Sequence, residues 1–369
     1  MRILYFTRDY SPHDHRFLST LAVTSHQVFS LRLERRGSQL EDRPLPTGVT
    51  QLHWRGGQKP ARWQDGLALW FDLKRVIREV KPDIIHAGPV PTVGLLAALS
   101  GFQPLVSMSW GSDLLVDADR NWRWNWAARY ALAHSTMLLG DCQAVQQKAV
   151  SLGFPQERTV LFPWGVDLSH FSPGTSTDFR ERRGWQDAFV LISVRSWEPI
   201  YGVDVLARAF VQAAAQLPDL RLILLGGGSQ AAMLRRIFEQ GGVSDRVFFG
   251  GRIGQRDLPV YYRAANCYVS TSHSDGSSVS LMEALACGCP ALVSDIPGNR
   301  EWVTPGQEGW WFPDGDADAL AAKILQAATQ RQQLETIKKA ARKLAEERAD
   351  WNKNSKQILR AYQKALELK

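Results

Sequence analysis

The sequence is short of cysteine and has no long apolar run. Four cysteines occur in 369 residues. Their spacing fits no zinc site, and no motif of paired histidines accompanies them. We therefore expect small buried thiols in a reducing cytoplasm. The longest weakly polar stretch, residues 93–102, is far shorter than the ~20 residues that a membrane-spanning helix needs. Residues 1–7 are too few and too soon polar for a signal peptide, so we expect a cytoplasmic protein that at most lies on a membrane surface.

The sequence also lacks a large excess of one sign of charge. The chain has 44 Lys and Arg residues against 37 Asp and Glu residues, a net charge of +7, and the excess is spread over both halves. Because there is no basic stripe, nothing in the sequence indicates a nucleic-acid partner. A diffuse positive charge is compatible with an anionic small ligand or an anionic lipid surface.

The chain is long enough for two domains, each with its own core. Strand-like runs alternate with stretches of helical spacing, which is typical of a parallel sheet covered by helices on both faces. The predicted strands of the first half are residues 3–7, 27–33, 49–54, 83–87, 105–110, 136–140 and 159–162. Those of the second half are residues 189–194, 221–225, 247–249, 267–271 and 290–294.

These patterns predict an α/β protein with two Rossmann-like domains that face a central cleft. The polar segment 172–177, with its Pro and Gly, is typical of a linker. The N-terminal domain is expected over residues 1–171 and the C-terminal domain over residues 172–350. Residues 351–369 are expected to form a helix that packs back on the N-terminal domain.

A polar loop that opens a helix in the second half is the most informative segment. It contains Gly276, and the free backbone N–H groups of Ser277, Ser278 and Val279 would form a site for a phosphate. This loop, with Gly276 in its turn, is therefore the first candidate for ligand binding.

Two carboxylates flank this turn at a spacing of eight positions. Asp275 lies in the loop and Glu283 within the helix. Each carboxylate accepts two hydroxyl hydrogen bonds at once, which suits the hydroxyls of a sugar. A capping box between Ser280 and Glu283 is the structural alternative.

This segment resembles the retaining glycosyltransferases of family 4, which have the GT-B fold. The resemblance covers nearly all of residues 187–315 and the rest more loosely. It is carried by the acid-x7-acid motif, here Asp275 and Glu283, and by the ALACG run that follows it. The resemblance implies that Glu283 binds the donor ribose, that the backbone of residues 276–278 holds the diphosphate, and that Asp275 reaches the donor sugar.

The same resemblance assigns Arg195 to the donor diphosphate as a catalytic cation. The family also has a lysine a few residues later, but Tyr201 stands close to that place here. Either Arg195 and the helix terminus are enough to hold the diphosphate, or another basic group substitutes for the lysine. The candidates in this half are Arg252, His273 and Arg300.

Two more loops follow strands in the second half. The glycine turn at 226–228 lacks the acidic partner that a dinucleotide site needs at the end of the next strand, so we expect a close strand–helix turn. By the resemblance, the backbone of Ile253 lies beside the nucleotide base. Asn299 and Arg300 would approach the donor's sugar and phosphates, with helix capping as the alternative for Asn299.

The first half matches the family less well. Many members have a histidine after the fifth strand, whereas Asp113 is the nearest polar group here; it would contact donor or acceptor, or else cap a helix. The family's N-terminal Gly-Gly loop is replaced by a segment in which His15 and Arg16 are candidates for the missing cation. His86 is expected to be a core histidine.

Tryptophans alternate with arginine at residues 122–126. This pattern is compatible with sugar stacking, with a membrane interface and with packing between helices, which is the commonest case. The acidic pairs at 117–119 and 314–316 formally match a metal motif, but each is typical of a helix start. The family resemblance implies no essential metal and no other cofactor.

The implied reaction moves a sugar from a nucleoside diphosphate sugar to a hydroxyl acceptor with retention at the anomeric carbon. A UDP-sugar is the preferred donor and a GDP-sugar the alternative. A saccharide or a lipid-linked saccharide is the expected acceptor, in polysaccharide or glycolipid synthesis. A sugar-nucleotide epimerase of the same fold, an inactive sugar-nucleotide binder and an NAD-dependent dehydrogenase remain as alternatives.

Overall fold

The computed structural model describes residues 1–35, 41 and 43–368. This part of the chain divides into two compact units. Unit 1 comprises Met1–Phe162 and the C-terminal segment that begins at Ser355, and unit 2 comprises Pro163–Asn354. The division therefore lies before the predicted linker at 172–177. The backbone oxygen of Ser172 accepts a hydrogen bond from Nε of Arg263 at 2.8 Å, which holds the start of that segment within unit 2.

Strands and helices alternate along most of the described chain. The strands are β1 (Arg2–Thr7), β2 (Gln27–Arg32), β3 (Val49–Gln51), β4 (Ile84–Gly88), β5 (Leu105–Met108), β6 (Met137–Gly140), β7 (Thr159–Leu161), β8 (Phe189–Ser193), β9 (Leu220–Leu225), β10 (Val247–Gly251), β11 (Cys267–Ser270), β12 (Ala291–Ser294) and β13 (Gly309–Phe312). The helices are α1 (Pro12–Ala22), α2 (Gly66–Val80), α3 (Leu95–Leu99), α4 (Ser112–Leu115), α5 (Trp122–Ala133), α6 (Gln143–Ser151), α7 (Thr177–Glu181), α8 (Val203–Gln216), α9 (Ala231–Gln240), α10 (Leu258–Ala264), α11 (Val279–Ala286), α12 (Pro297–Arg300), α13 (Ala317–Thr329), α14 (Arg331–Arg348), α15 (Trp351–Asn354) and α16 (Lys356–Glu367).

Each unit contains one parallel sheet. The strand order is β3-β2-β1-β4-β5-β6-β7 in unit 1 and β10-β9-β8-β11-β12-β13 in unit 2. The central strands are buried on both faces, as in β8, where all five residues are buried. Helices on both faces explain why such strands are continuous apolar runs rather than alternating ones. The predicted α/β architecture with two Rossmann-like domains is confirmed.

The order of the strands locates the candidate ligand sites. In unit 1 the direction of strand addition reverses between β1 and β4, and in unit 2 it reverses between β8 and β11. The loops after these strands diverge to opposite faces and leave a crevice at the carboxyl edge of the sheet. Arg195 follows β8 and Asp275 follows β11, so both lie at the reversal point of unit 2.

Some predicted boundaries were wrong. The run at 49–54 is a strand only over Val49–Gln51. Trp54 lies beyond the end of this strand, and its Nε1 donates to the backbone oxygen of Arg32 at 2.8 Å. The four-residue strand β13 was not predicted. It has the Gly-Trp-Trp-Phe sequence, which is too short to show a period. The predicted helix at 351–369 is divided into α15 and α16.

The four cysteines are free and buried. Burial raises the pKa of the Cys267 thiol to about 12, so this thiol is protonated at neutral pH. No helix within the described ranges combines the length and the apolar character that crossing a membrane requires.

Helix α16 belongs to unit 1 through a buried polar contact. The hydroxyl of Tyr362 lies 2.7 Å from Nδ1 of His86, and both side chains are fully buried. Burial lowers the pKa of His86 to about 3, so the ring is neutral. The expectation of a core histidine is therefore confirmed.

This contact gives a stability prediction. In Tyr362→Phe the buried Nδ1 of His86 loses its partner, so the free energy of unfolding should fall by about 1–3 kcal/mol. Urea unfolding followed by circular dichroism measures the change. Tyr261→Phe, at a half-buried position on α10, is the control and should change stability less. Equal stability of Tyr362→Phe and the wild type would contradict the role given to this contact.

Candidate active site

A buried ion pair joins the carboxyl ends of β8 and β11. Nη2 of Arg195 lies 2.7 Å from Oδ2 of Asp275, and the two side chains are only 10% and 18% exposed. Nη1 of Arg195 donates to the hydroxyls of Ser278 at 2.7 Å and Ser280 at 3.1 Å. Burial opposes the charge on Arg195, but Asp275 and neighbouring tyrosines hold its pKa above the ordinary value. The guanidinium is therefore a permanent cation at the reversal point.

Tyr201 supports this cation where the family's lysine is expected. It ends a short 3-10 turn, Pro199–Tyr201, and the centroid of its ring lies 4.3 Å from Cζ of Arg195. An arginine over an aromatic face is held by a cation–π interaction. The chain thus provides an aromatic platform for Arg195 instead of a second positive charge.

The N-terminus of helix α11 lies at the end of the loop that follows β11 and contains Asp275. Ser278 is the N-cap residue, and its side chain makes no capping hydrogen bond. Its hydroxyl accepts instead from Arg195, while the hydroxyl of Ser277 accepts from Nε1 of Trp302 at 3.1 Å. First-turn N–H groups without a side-chain cap favour binding of an anion. The loop at 276–278 and Val279 therefore combine these N–H groups with the guanidinium of Arg195.

The loop is held in place by a close backbone approach. A Cβ atom at Gly298 would lie 2.5 Å from the backbone oxygens of both Asp275 and Gly276. Any larger residue at this position would push the loop away from α12. Gly298 is therefore needed for the position of the turn at 275–276.

Glu283 lies deeper in α11 and is 3% exposed. Its Oε2 accepts from the hydroxyl of Tyr262 at 2.9 Å, and its Oε1 accepts from Nε2 of Gln255 at 3.0 Å. The capping-box alternative with Ser280 is wrong, because Ser278 is the N-cap and Ser280 bonds to Arg195 and Tyr268. These contacts hold the carboxylate in place between α11, α10 and the loop after β10.

The candidates for the missing cation differ in their surroundings. Arg300 forms an ion pair with Asp295, with Nε 2.5 Å from Oδ1. Nδ1 of His273 lies 2.7 Å from Asp314 Oδ1. Arg252 is exposed and lies beside the glycine turn, since a Cβ at Gly227 would be 3.9 Å from its Nε. Two of the three are thus already close to carboxylates.

The remaining predicted residues of unit 2 lie in the neighbouring loops. Ile253 follows β10 and packs partly buried against a core cluster of unit 2. Asn299 is 1% exposed and its Nδ2 donates to the backbone oxygen of Ser294 at 2.9 Å. The N-cap of α12 is Ile296, so the helix-capping alternative for Asn299 is wrong.

The glycine turn after β9 serves packing between loops. Gly226 has a φ of +128°, and a Cβ there would lie 2.4 Å from the backbone oxygen of Arg195. A Cβ at Gly228 would lie 2.5 Å from the oxygen of Trp197. The two loops are further joined by a bond from the N–H of Trp197 to the oxygen of Gly227 at 3.0 Å. This geometry agrees with the predicted close turn.

In unit 1, Asp113 joins two loops at the carboxyl edge. Its Oδ2 accepts from the N–H of Val90 at 2.8 Å, after β4. Its Oδ1 accepts from the hydroxyl of Ser109 at 2.7 Å and the N–H of Trp110 at 2.8 Å, after β5. Burial raises the pKa of Asp113 to about 6, although these hydrogen bonds oppose the shift. The N-cap of α4 is Gly111, so the N-cap alternative for Asp113 is wrong.

Helix α1 carries the other two candidates of unit 1. It begins at Pro12 after a capping box between Ser11 and Asp14. Nδ1 of His15 lies 3.1 Å from the hydroxyl of Ser19, and burial lowers the pKa of His15. This histidine is therefore neutral near pH 7. Of the two candidates, His15 and Arg16, Arg16 is therefore the one that carries a positive charge at this pH.

Comparison with known proteins identifies the family. Residues 15–170 match the model described as Glycosyltransferase Family 4, and residues 175–344 match the model described as Glycosyl transferases group 1. The chain is a family 4-like glycosyltransferase. Its two Rossmann-like sheets are those of the GT-B fold.

Individual relatives are distant. A GDP-mannose-dependent alpha-(1-6)-phosphatidylinositol monomannoside mannosyltransferase of Mycolicibacterium smegmatis is 25% identical over 68% of this chain and 69% of that protein. A D-inositol 3-phosphate glycosyltransferase of Geodermatophilus obscurus is 30% identical over 58% of this chain, a match that spans about half (49%) of that protein. The crystal structure of Anabaena HepE in complex with UDP and glucose has a TM-score of 0.82 at 20% identity, covering 98% of this chain and 99% of that one. This last likeness shows the fold alone.

In the two acidic pairs that formally match a metal motif, at 117–119 and 314–316, Asp119, Asp314 and Asp316 contact other groups of the protein. Asp119 forms an ion pair with Lys148 at 2.6 Å and lies in a 3-10 helix. Asp314 contacts His273. Oδ1 of Asp316 accepts from the N–H of Ala319 at 2.8 Å, so it caps α13 as a residue at a helix start should.

Several contacts of this candidate site were not predicted from the sequence. They involve Gln255, Tyr262, Tyr268 and Trp302. Each lies on an element other than the one that it supports. A local pattern gives no signal for such partners, although buried tyrosine and tryptophan polar groups need a partner somewhere.

The cation at the reversal point gives the second prediction. Arg195→Gln should weaken binding of a nucleoside diphosphate roughly 10- to 150-fold, because a charge-assisted hydrogen bond contributes about 1.5–3 kcal/mol. Isothermal titration calorimetry measures this affinity. Arg208→Gln, which removes an arginine paired with Asp204 on α8, is the matched control and should bind like the wild type. Equal affinity of Arg195→Gln and the control would remove Arg195 from the site.

Asp113 gives the third prediction. In Asp113→Ala the buried N–H groups of Val90 and Trp110 lose their acceptor, so the free energy of unfolding should fall by about 1–3 kcal/mol. Affinity for a nucleoside diphosphate should stay unchanged, since the three contacts of Asp113 lie in unit 1. Asp119→Ala is the control for removing a carboxylate from this unit. If Asp113→Ala loses nucleotide affinity while its stability is unchanged, Asp113 contacts the donor directly.

Proposed function

We propose that this glycosyltransferase moves a sugar from a nucleoside diphosphate sugar to a hydroxyl acceptor with retention at the anomeric carbon. The observation that carries the donor assignment is the buried guanidinium of Arg195 beside the uncapped N-terminus of α11. A UDP-sugar is the preferred donor, which the UDP complex of the structural neighbour supports. A GDP-sugar is the alternative, because one relative is named as GDP-mannose-dependent.

The donor diphosphate would be held by groups of unit 2. Arg195 supplies a permanent charge, and the N–H groups of Ser277, Ser278 and Val279 supply donors at the positive end of α11. Negative charge grows on the diphosphate as the bond to the sugar breaks. Donors already fixed in position stabilise that charge without reorganising, which is the main source of rate enhancement in such a site.

Glu283 would bind the ribose of the donor. Its carboxylate is fixed by Tyr262 and Gln255, and burial of the tyrosine, reinforced by Glu283, raises the pKa of Tyr262 well above its ordinary value. The hydroxyl of Tyr262 therefore remains a donor, and Glu283 an acceptor. The carboxylate, held in this orientation, would accept hydrogen bonds from the ribose hydroxyls.

Asp275 is engaged with Arg195 and is not proposed as a nucleophile. Attack by the acceptor hydroxyl on the same face as the departing diphosphate, with the phosphate as base, is the mechanism that the family implies. Asp275 would then orient Arg195 and contact the donor sugar.

We propose that unit 1 binds the acceptor, a saccharide or a lipid-linked saccharide, in polysaccharide or glycolipid synthesis in the cytoplasm. The names of the relatives support this class, since one is named as a phosphatidylinositol monomannoside mannosyltransferase. The contribution of Arg16 to diphosphate binding stays a prediction.

The fourth prediction tests the donor site. UDP or GDP at 100 times its dissociation constant should stabilise the wild-type protein by roughly 2.7 kcal/mol. Glu283→Ala should lose most of this stabilisation, because the ribose loses its acceptor. Thermal unfolding with UDP, GDP, NAD and a panel of nucleotide sugars measures the effect. Glu335→Ala, at an exposed glutamate paired with Lys338, is the control.

Two outcomes would contradict the proposal. Stabilisation by NAD without any response to a nucleoside diphosphate would refute the donor class. Stabilisation by the same nucleotide in Glu283→Ala and in the control would refute the ribose assignment. Once a donor and acceptor are found, the anomeric configuration of the product by NMR tests retention, and an inverted product would refute it.

A further inference from the structure

Large apolar side chains are exposed on one helical layer of unit 1. Helix α2 and the turn before it expose Trp63, Leu67 and Phe71 by 69%, 75% and 65%. These positions repeat every four residues and form a stripe along one face of the helix. The opposite face carries the buried residues Leu69, Leu73, Val76 and Val80. Helix α2 is therefore apolar both toward the sheet and toward solvent.

Helix α5 extends this surface. Trp122 and Trp126 lie one turn apart and are 74% and 51% exposed. Trp124 points elsewhere and is half-buried, with its ring centroid 6.2 Å from that of Trp63 in an edge-to-face contact. The explanation by packing between helices therefore holds for Trp124, and it does not account for Trp122 and Trp126.

Helix α3 connects with the two others. Nε1 of Trp70 on α2 donates to the backbone oxygen of Leu99 at 2.8 Å, and the side chain of Leu99 is 39% exposed. We define the aromatic surface as these six exposed residues: Trp63, Leu67, Phe71, Leu99, Trp122 and Trp126. An apolar surface of this kind on a protein marks an interaction site.

Cations lie on the aromatic rings of this layer. Cζ of Arg123 is 5.4 Å from the ring centroid of Trp122, and Cζ of Arg120 is 5.8 Å from that of Trp124. Nζ of Lys74 lies 4.6 Å from the centroid of the Trp70 ring. All three cationic side chains belong to exposed residues and are therefore accessible to an anionic partner.

Carboxylates of the same region are engaged by other bases. Asp119 pairs with Lys148 at 2.6 Å, Asp72 with Arg75 at 2.8 Å, and Asp65 lies 3.9 Å from Lys59. The cations around the aromatic surface are thus not cancelled by these acids. The combination of exposed Trp, Phe and Leu with Lys and Arg that stack on rings of the same layer matches an anionic lipid interface better than a neutral protein groove.

The position of the surface suits a membrane-bound acceptor. Helices α2 and α5 each follow a strand and run back along the sheet, so their N-terminal ends lie at the carboxyl edge of the strands. Trp63, Leu67, Trp122 and Trp126 all belong to these N-terminal ends. The surface therefore borders the edge at which unit 1 would bind its acceptor.

We propose that the aromatic surface docks on an anionic phospholipid membrane. Indole rings prefer the interface between water and acyl chains, and the flanking cations attract anionic head groups. The docking itself does not depend on the reaction. Only its use, presenting a lipid-linked acceptor to unit 1, rests on the proposed function.

Flotation of the full-length protein with vesicles tests the docking. The protein should float with vesicles that contain phosphatidylglycerol and remain behind with pure phosphatidylcholine. Added salt should weaken the binding, because it screens the attraction to the head groups. For the variant Trp63→Ser/Phe71→Ser/Trp122→Ser, the fraction of protein that floats with the vesicles should fall roughly tenfold or more, since the variant lacks the apolar anchors. Arg120→Gln/Arg123→Gln should weaken binding to the anionic vesicles.

Matched substitutions in unit 2 serve as controls. Met233→Ser/Val260→Ser removes apolar side chains that are 41% and 42% exposed, and Arg236→Gln removes an exposed arginine on α9. Both should float like the wild type. Thermal unfolding of all variants should be close to that of the wild type, because the changed side chains are exposed.

Three results would overturn the proposal. They are wild-type protein that floats with no vesicle, a triple variant that floats like the controls, and a concentration-dependent dimer in sedimentation that the triple variant abolishes. The last result would assign the surface to a second copy of the chain. Titration of UDP and GDP on the same proteins keeps this test apart from the proposed function, since a wild-type protein that floats but binds no nucleotide would refute only the latter.

Discussion

The proposed donor site depends on one buried ion pair, between Arg195 after β8 and Asp275 after β11. Removing two charges from water is costly, and the cost is offset only if both groups have additional partners. Here Ser278, Ser280 and the ring of Tyr201 provide them for Arg195. The backbones of the paired residues are further constrained by glycine contacts from the loops after β9 and β12. The crevice at the reversal point is therefore fixed before a ligand arrives.

The two units share the order of six strands, to which unit 1 adds β7, but they differ in electrostatics at the corresponding edge. In unit 2 the edge presents an arginine whose pKa is raised and the free end of an eight-residue helix. In unit 1 the edge contains Asp14 and Asp113, whose pKa values are raised by burial, and both are held by protein donors. An arginine beside a helix N-terminus stabilises a diphosphate better than two buried carboxyl groups do. This difference supports placing the donor in unit 2 and the acceptor in unit 1.

The sequence predicted the fold well, because alternating strand and helix patterns determine a parallel sheet. It also predicted the loop of Asp275 and its helix, where residue types and spacing coincide in one segment. It failed where partners are distant in the chain. The hydrogen bonds of Glu283 with Tyr262 and Gln255, and the support of Arg195 by Tyr201, arise only when separate elements are packed together. The role of Asp113 was missed for the same reason, since its three donors come from two loops that a linear pattern does not connect.

The most direct test of the account is a crystal structure of the protein with a bound nucleoside diphosphate. We expect the diphosphate oxygens within hydrogen-bond distance of the Arg195 guanidinium and of the backbone N–H groups of Ser277, Ser278 or Val279, with a ribose hydroxyl on Glu283. A nucleotide bound in unit 1, or bound in unit 2 with its phosphates away from Arg195 and the N-terminus of α11, would contradict the account.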